Sequence, residues 1–135
     1  MTILREEAVD IRSSEAVVIA RQAVREWAVQ LGFSLVDQTK IVTAASEIAR
    51  NTLVHGGGGR LLLQQVNDGN RSGLQLVFED HGPGIKDVEQ AMRDGFTTGA
   101  GLGLGLGGAR RLSSEFEITS TPGAGTRVRI LRWRP

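Results

Sequence analysis

The stretch Leu74-Gln75-Leu76-Val77-Phe78-Glu79-Asp80-His81-Gly82-Pro83-Gly84-Ile85 joins a strand-like apolar run to a glycine-containing turn. The residues before Asp80 favour a buried strand, and the two glycines after it allow a sharp turn. We therefore expect a carboxylate at the end of a strand, followed by backbone that a flat ligand can approach closely. Asp80 is a candidate acceptor for the exocyclic amine of adenine, although an ordinary turn explains the same residues.

Glycine is over-represented throughout the chain, with 18 in 135 residues, where about 7% is average. Most of the excess falls in three clusters: 56–59, 82–84 and 95–108. The segments between the clusters have clear hydrophobic periods, so the glycines separate ordered elements and do not indicate disorder.

Two amphipathic helices are predicted before the strand that ends at Asp80. Apolar residues recur at three- and four-residue steps from Ser14 to about Leu31, and again from about Leu35 to His55. The second helix ends at the first glycine cluster.

Alternating or apolar runs predict two pairs of strands. Segments 61–66 and 74–78 flank a turn-forming stretch at 67–73, and segments 116–120 and 126–131 flank Pro122-Gly123-Ala124-Gly125. The first eleven residues weakly suggest a further strand. Helices following helices and hairpins following hairpins predict an α+β domain, with helices on one face of a mixed, mainly antiparallel sheet. We expect a single domain over residues 1–135.

Composition excludes several classes of protein. The net charge of +1 gives no bulk attraction to nucleic acid or to an acidic membrane. The chain has no cysteine and two histidines, so a thiolate or multi-histidine metal site is excluded. The longest apolar run, 16–20, is far too short to span a bilayer. A cytoplasmic protein without a membrane segment fits best.

The second predicted helix carries a polar row on one face. Glu47 and Asn51 are four residues apart, and His55 continues the row. A carboxylate can take a proton from a hydroxyl, and an amide oxygen is a suitable neutral ligand for Mg²⁺. A solvated helix face is the plain alternative for such a pair.

The third glycine cluster contains Gly103-Leu104-Gly105-Leu106-Gly107-Gly108, which matches the dinucleotide-binding pattern GxGxxG. That pattern needs a preceding strand and a following βαβ unit, and the sequence offers neither. A P-loop is also excluded, because no Gly-Lys dipeptide occurs. The cluster instead predicts either a plain connecting loop or a loop that leads into a helix N-terminus and contacts phosphate.

The order of these motifs resembles the N, G1 and G2 boxes of the GHKL superfamily of ATPases and kinases. The motifs are Glu47-x-x-x-Asn51, Asp80-x-Gly82-x-Gly84, Gly101-x-Gly103-x-Gly105 and Gly123-x-Gly125-Thr126. The resemblance covers about residues 14–131. Within the superfamily, the sequences around Glu47 and at 94–99 are similar to those of the anti-sigma-factor serine kinases, especially the RsbT-type switch kinases of bacterial stressosomes.

This resemblance implies a Bergerat-type α/β sandwich that binds ATP and Mg²⁺. It makes Glu47 the general base, Asn51 the metal ligand and Asp80 the residue that holds the adenine amine, with Thr126 supporting Asp80 through its hydroxyl or a water. The remaining implied ATP-binding residues are Arg50, Gly82, Gly84, Gly101, Leu102, Gly103, Leu104 and Gly105. Because phosphoryl transfer depends mainly on positioning and charge neutralisation, this small set of groups is chemically sufficient.

The resemblance also implies the partners. It predicts phosphorylation of a serine or threonine of a small STAS-domain antagonist protein, with activation of a PP2C-type phosphatase as a second role. An anti-sigma factor, or a nucleotide-bound module that acts by sequestering its partner, is the alternative. The short segment between Gly84 and Gly101 leaves closure of an ATP lid as an open question.

Overall fold

The computed structural model describes residues 1–93 and 105–135, and within them the chain builds one five-stranded sheet. The elements are β1 (Thr2–Ile11), α1 (Ser14–Gln30), α2 (Leu35–Val54), β2 (Gly59–Asp68), β3 (Arg71–Asp80), α3 (Val88–Ala91), α4 (Gly105–Arg111), β4 (Glu115–Thr121) and β5 (Gly125–Trp133). The strand order is β1-β2-β3-β5-β4, and neighbouring strands are antiparallel at every described pairing. The predicted α+β class is confirmed, while the described sheet is wholly antiparallel and not mixed.

The two long helices begin at serine N-caps and end close to the predicted residues. The Ser13 hydroxyl accepts a hydrogen bond from the backbone N–H of Ala16. The Ser34 hydroxyl accepts a hydrogen bond from the Asp37 backbone N–H and donates one to the Asp37 carboxylate. Within the described ranges, none of the helices is long and apolar enough to cross a membrane.

The hydrophobic core lies between the helices and one face of the sheet. Every second residue of the central strands points into it, and α1, α2 and α4 supply the opposite side. Its largest fully buried side chains include Trp27, Ile41, Ile48, Leu63, Leu76, Phe78 and Ile130. Burial of these residues fixes which face of α2 meets the sheet, and so places the polar row of α2 at the edge of the core.

The strands run further than the sequence predicts. β1 is a ten-residue edge strand whose first seven residues are exposed, so it lacks a clean apolar alternation. The expected loop at 67–73 is wrong: β2 and β3 leave only Gly69-Asn70 as the turn, with an Asp68–Arg71 ion pair beside it. The short helix α3, capped by Asp87, is not predicted either.

A chain of hydrogen bonds crosses the sheet on the face away from the helices. Gln64 donates to Glu6, Gln75 donates to Gln64, and Arg129 donates to both Gln75 and Glu115. These contacts link all five strands in order. They satisfy the two nearly buried glutamine side chains and support a single register across the sheet.

Arg132, near the end of β5, connects that strand to α2 and to the C-terminal end of α4. Its guanidinium donates to the Asp37 carboxylate on α2 at 2.6 Å and to the Leu112 carbonyl, just after α4, at 2.8 Å. The Arg132 guanidinium, with a smaller contribution from the Ser34 hydroxyl, holds the pKa of Asp37 below its usual range despite an opposing effect of burial. This contact ties the C-terminal end of α4 to the rest of the fold.

Replacing Asp37 by Asn should lower the free energy of unfolding by about 1.5–3 kcal/mol at pH 7, the usual contribution of a charged hydrogen bond. Because the folded-state pKa of Asp37 is lowered, its contribution is present above the unfolded pKa and is lost as the pH falls through the folded value. Urea unfolding from pH 7 down to pH 2 should show the difference from the wild type shrinking below about pH 4.

The matched control for that measurement is Asp68→Asn. Asp68 also pairs with an arginine, but the side chains of both members of that pair are about half exposed, so stability should change little. Equal losses for the two variants would contradict the role given to the Asp37–Arg132 contact.

Candidate active site

Asp80 is held at the end of β3 by backbone donors from two sides. Its Oδ1 accepts hydrogen bonds from the N–H of Gly82 at 2.9 Å and of Thr126 at 3.2 Å. The residue is 8% exposed, and within the described residues Oδ2 accepts no hydrogen bond. One carboxylate oxygen is thus fixed by the protein, and the other is left for a donor from outside.

The turn after Asp80 is supported by the hairpin between β4 and β5. The Gly123 N–H donates to the Pro83 carbonyl at 2.7 Å, and the Ile85 N–H donates to the Ser120 hydroxyl at 2.7 Å. Gly84 has φ of +79°, and a Cβ on it would collide with the Thr121 carbonyl. The second and fourth sequence motifs therefore form a single structural unit.

Thr126 contacts Asp80 differently from the expectation. The contact is made by its backbone N–H, whereas its hydroxyl lies 2.8 Å from the Ser120 hydroxyl. Support of Asp80 through the Thr126 hydroxyl or a water stays a prediction. Thr126 pairs with Ser120 in the β4–β5 ladder, and this register brings the two hydroxyls together.

The polar row on α2 lies partly buried beside the core. Glu47 is 7% exposed, and its Oε1 lies 3.6 Å from Nη1 of Arg50. Both of these atoms are buried, and neither has a hydrogen-bond partner in the described part of the chain. Asn51, one turn beyond Glu47, is half-buried. Buried polar atoms without hydrogen-bond partners are rare in proteins, and a catalytic role, a water or an ion is a common explanation for them.

The end of α2 meets Asp80 directly. The Asn51 carbonyl accepts hydrogen bonds from the N–H groups of His55 and Gly56, and Gly56 packs against the Asp80 carboxylate. The polar row of α2, which is the first motif, and the Asp80 carboxylate of the second motif therefore lie at the same edge of the sheet. The motif order implies a shared site of this kind.

The third motif is described only in part. Gly101, Leu102, Gly103 and Leu104 lie outside the described residues, and so does the segment 94–99. Gly105 has φ of +59° and begins α4, whose Leu106 and Ala109 are buried in the core. Among the described elements, β3 ends at Asp80 and α3 follows it before the GxGxxG string, so the string does not come directly after a described strand as the dinucleotide-binding pattern requires.

Sequence reasoning missed Ser120. It lies on the inward row of β4 with Phe116 and Ile118, at alternate positions, and pairs with Thr126. A polar residue that continues an apolar inward row was the available signal.

Within residues 1–93 and 105–135, no group of three or more His, Asp or Glu side chains forms a metal-binding cluster. A metal held by Asn51 alone, with the rest of its ligands from phosphate and water, needs no such cluster. The predicted Mg²⁺ site at Asn51 stays a prediction.

The profile of the family described as histidine kinase-like ATPase domain matches residues 12–132. The chain is 44% identical over 128 residues to the serine/threonine-protein kinase RsbT of Bacillus subtilis (strain 168), a match that covers 95% of this chain and 96% of RsbT. It is 32% identical over 129 residues to the anti-sigma F factor of Thermoanaerobacter sp. (strain X514), covering 91% of this chain and 89% of that protein.

Solved structures show the same fold. One is a protein of Mycobacterium tuberculosis described by its RsbU and RsbW domains, with a TM-score of 0.68 and 22% identity; the match covers 97% of this chain and 33% of that longer protein. The mycobacterial sensor histidine kinase MprB matches with a TM-score of 0.55 and 19% identity, covering 97% of this chain and 99% of the other.

The chain belongs to the histidine kinase-like ATPase family. Within that family it is an ATP-using serine/threonine protein kinase. The resemblance seen in the motif order is confirmed.

Replacing Ser120 by Ala should lower the free energy of unfolding by about 1–3 kcal/mol, because the Ile85 N–H and the Thr126 hydroxyl lose a common partner in a partly buried position. Chemical unfolding of the purified variant measures this. Thr121→Ala is the control, since Thr121 is the exposed neighbour of Ser120 and lies on the opposite face of β4. A loss no larger than that of the control would contradict the supporting role of Ser120.

Proposed function

We propose that this chain, acting as one kinase domain over residues 1–135, transfers the γ-phosphoryl group of ATP to a serine or threonine of a small STAS-domain antagonist protein. The reaction would serve a cytoplasmic partner-switching pathway in a stress response or in sigma-factor control. The observation that carries this proposal is a buried, incompletely hydrogen-bonded Glu47 on α2, the helix whose C-terminal end leads to Gly56 and the oriented Asp80.

The adenine end of the site is assigned to Asp80. A carboxylate accepts hydrogen bonds and cannot donate them, so its Oδ2 suits the exocyclic amine of adenine and disfavours the carbonyl oxygen that guanine carries at the same position. Gly82 and Gly84 shape the wall of the base pocket, because their backbone packs against Gly56 and Thr121 with no room for side chains.

The phosphate end is assigned to the residues around Asn51 and to the glycine motif 101–105. Asn51 would hold Mg²⁺ through its amide oxygen, and the metal, when bound, neutralises charge on the phosphates. Arg50 fits the same region, since its Nη1 has no hydrogen-bond partner among the described residues and a guanidinium binds phosphate oxygens well. The N-terminal backbone of a helix that follows small residues suits an anion.

Glu47 would act as the general base. Its carboxylate takes the proton from the attacking hydroxyl at Oε1 or Oε2 while the hydroxyl oxygen bonds to the γ-phosphorus. The bond between the γ-phosphorus and the β,γ-bridging oxygen breaks, and ADP leaves with that bonding electron pair. Its burial restricts side-chain motion and excludes competing water, and both effects favour transfer to a protein hydroxyl over hydrolysis.

Replacing Glu47 by Gln should leave the ATP dissociation constant nearly unchanged and lower phosphoryl transfer by about 10²- to 10⁴-fold, the usual contribution of a general base. Transfer is measured with γ-labelled ATP, Mg²⁺ and a purified STAS-domain protein, and binding by calorimetry. Glu26→Gln, on the exposed side of α1, is the control. Transfer at the wild-type rate by the Glu47 variant would contradict its role as base.

Replacing Asp80 by Asn should weaken ATP binding by roughly 10- to 100-fold, because an amide replaces a charged acceptor. Glu79→Gln is the matched control, since Glu79 precedes Asp80 on β3 but faces the other side of the sheet, where it pairs with Arg60 at 3.3 Å. Equal ATP affinities of the two variants would contradict the assignment of the adenine subsite.

The alternative function is a regulatory binding module, favoured by the similarity to an anti-sigma F factor. Such a module, or a regulator of a PP2C-type phosphatase, would act by capturing its partner with nucleotide in a structural role. If Asp80→Asn captures a sigma factor or a phosphatase as the wild type does, and the wild type transfers no phosphate to a STAS-domain protein, the module is the better description.

A further inference from the structure

We infer that Gly56, just beyond the end of α2, is the positioning residue that orients the Asp80 carboxylate and thereby sets the preference of the site for a base with an exocyclic amine. This inference rests on the proposed ATP site. It assigns to the first glycine of the cluster 56–59 a part in base recognition, in addition to ending a helix.

The contact between Gly56 and Asp80 is extremely close. A Cβ built on Gly56 would lie 2.5 Å from Oδ2 and 2.6 Å from Cβ of Asp80, and closer still to its Cγ. The Asp80 side chain has little freedom to move aside, since it is 8% exposed and its Oδ1 accepts two backbone hydrogen bonds. Any side chain at position 56 must therefore rotate the carboxylate or shift the backbone.

The backbone of Gly56 also packs against the turn at Gly82. A Cβ on Gly82 would lie 2.7 Å from both the Cα and the carbonyl oxygen of Gly56, and the Gly56 N–H donates to the Asn51 carbonyl at 3.3 Å. The backbone of Gly56 is thus packed between the Asp80 carboxylate and the turn at Gly82. It also joins the residue proposed to hold Mg²⁺ to the residue proposed to hold adenine.

The requirement for glycine here is one of space and not of backbone angle. Gly56 is absent from the residues with positive φ, whereas its neighbour Gly57 has φ of +73° and open space where a Cβ would lie, with no atom within 4 Å. Substitutions at the two adjacent glycines therefore separate the effect of a steric clash from the effect of backbone strain. Alanine at 57 strains the backbone without a new contact, whereas alanine at 56 has no positive φ to strain and collides with Asp80.

The test compares ATP with purine riboside triphosphate, which lacks the exocyclic amine, on the wild type, Gly56→Ala and Gly57→Ala by calorimetry. The wild type should prefer ATP by roughly 10-fold or more, because one hydrogen bond to a charged acceptor distinguishes the two ligands. Gly56→Ala should bring this ratio close to one. Gly57→Ala should keep the wild-type ratio even where it lowers the melting temperature.

A second variant, the double substitution Gly56→Ala with Asp80→Gly, tests the same contact if Gly56→Ala alone does not fold. The substitution Asp80→Gly removes all three Asp80 atoms nearest the new methyl group, but it also removes the acceptor of two backbone hydrogen bonds. Adding Gly56→Ala to Asp80→Gly should therefore lower the melting temperature less than adding Gly56→Ala to the wild type. An equal loss in the two backgrounds would overturn the inference.

The calorimetric outcomes are also decisive. A wild-type preference for ATP that survives in Gly56→Ala, or an equal loss of affinity for both nucleotides, overturns the role of Gly56 in base recognition and leaves the kinase proposal standing. A wild-type protein that binds neither nucleotide contradicts the proposed function, and the inference falls with it.

Discussion

The close packing of Gly56 against the Asp80 carboxylate is the constraint on which the candidate site depends. It brings the end of α2 to the end of β3 at a distance that no residue with a side chain permits. The apolar face of α2 packs on the sheet and so sets where its polar face lies, and the Gly56 contact sets how closely the end of α2 approaches Asp80. The nearly buried Glu47 and the half-buried Asn51 stand beside the core because of that arrangement.

The other half of the site comes from the hairpin between β4 and β5. This hairpin lies about forty residues after Asp80 in the chain, yet its backbone N–H at Thr126 and its hydroxyl at Ser120 fix the turn around Gly84. A candidate site assembled from a helix end, a strand end and a distant hairpin can be held accurately because each piece belongs to a regular element. The described part of this candidate site is thus built on regular elements of the fold.

Much of the fold is readable from short-range signals. The 3.6-residue period and the glycines that follow each stripe predict α1 and α2 almost to the residue. The alternation around Phe116 and Val128 predicts the last two strands. β1 is only weakly predicted, because an exposed edge strand has no buried face to leave an alternating pattern. The loop predicted at 67–73 is wrong since Asn, Asp and Gly favour turns locally, while pairing between β2 and β3 imposes strand geometry on most of that stretch.

The sequence by itself determined the motif order, the two helices and the α+β class, and it proposed most polar residues of the candidate site. The order of the motifs can be seen directly in the sequence. Hydrophobic periodicity and glycine placement depend only on residues that are close together in the chain. Only the tertiary structure decided that Gly56 lies against Asp80, that Thr126 reaches the carboxylate through its backbone, and that Ser120 closes the turn. Those contacts join residues that are far apart in the chain and belong to separate elements. They follow from sheet register and core packing, which no local pattern encodes.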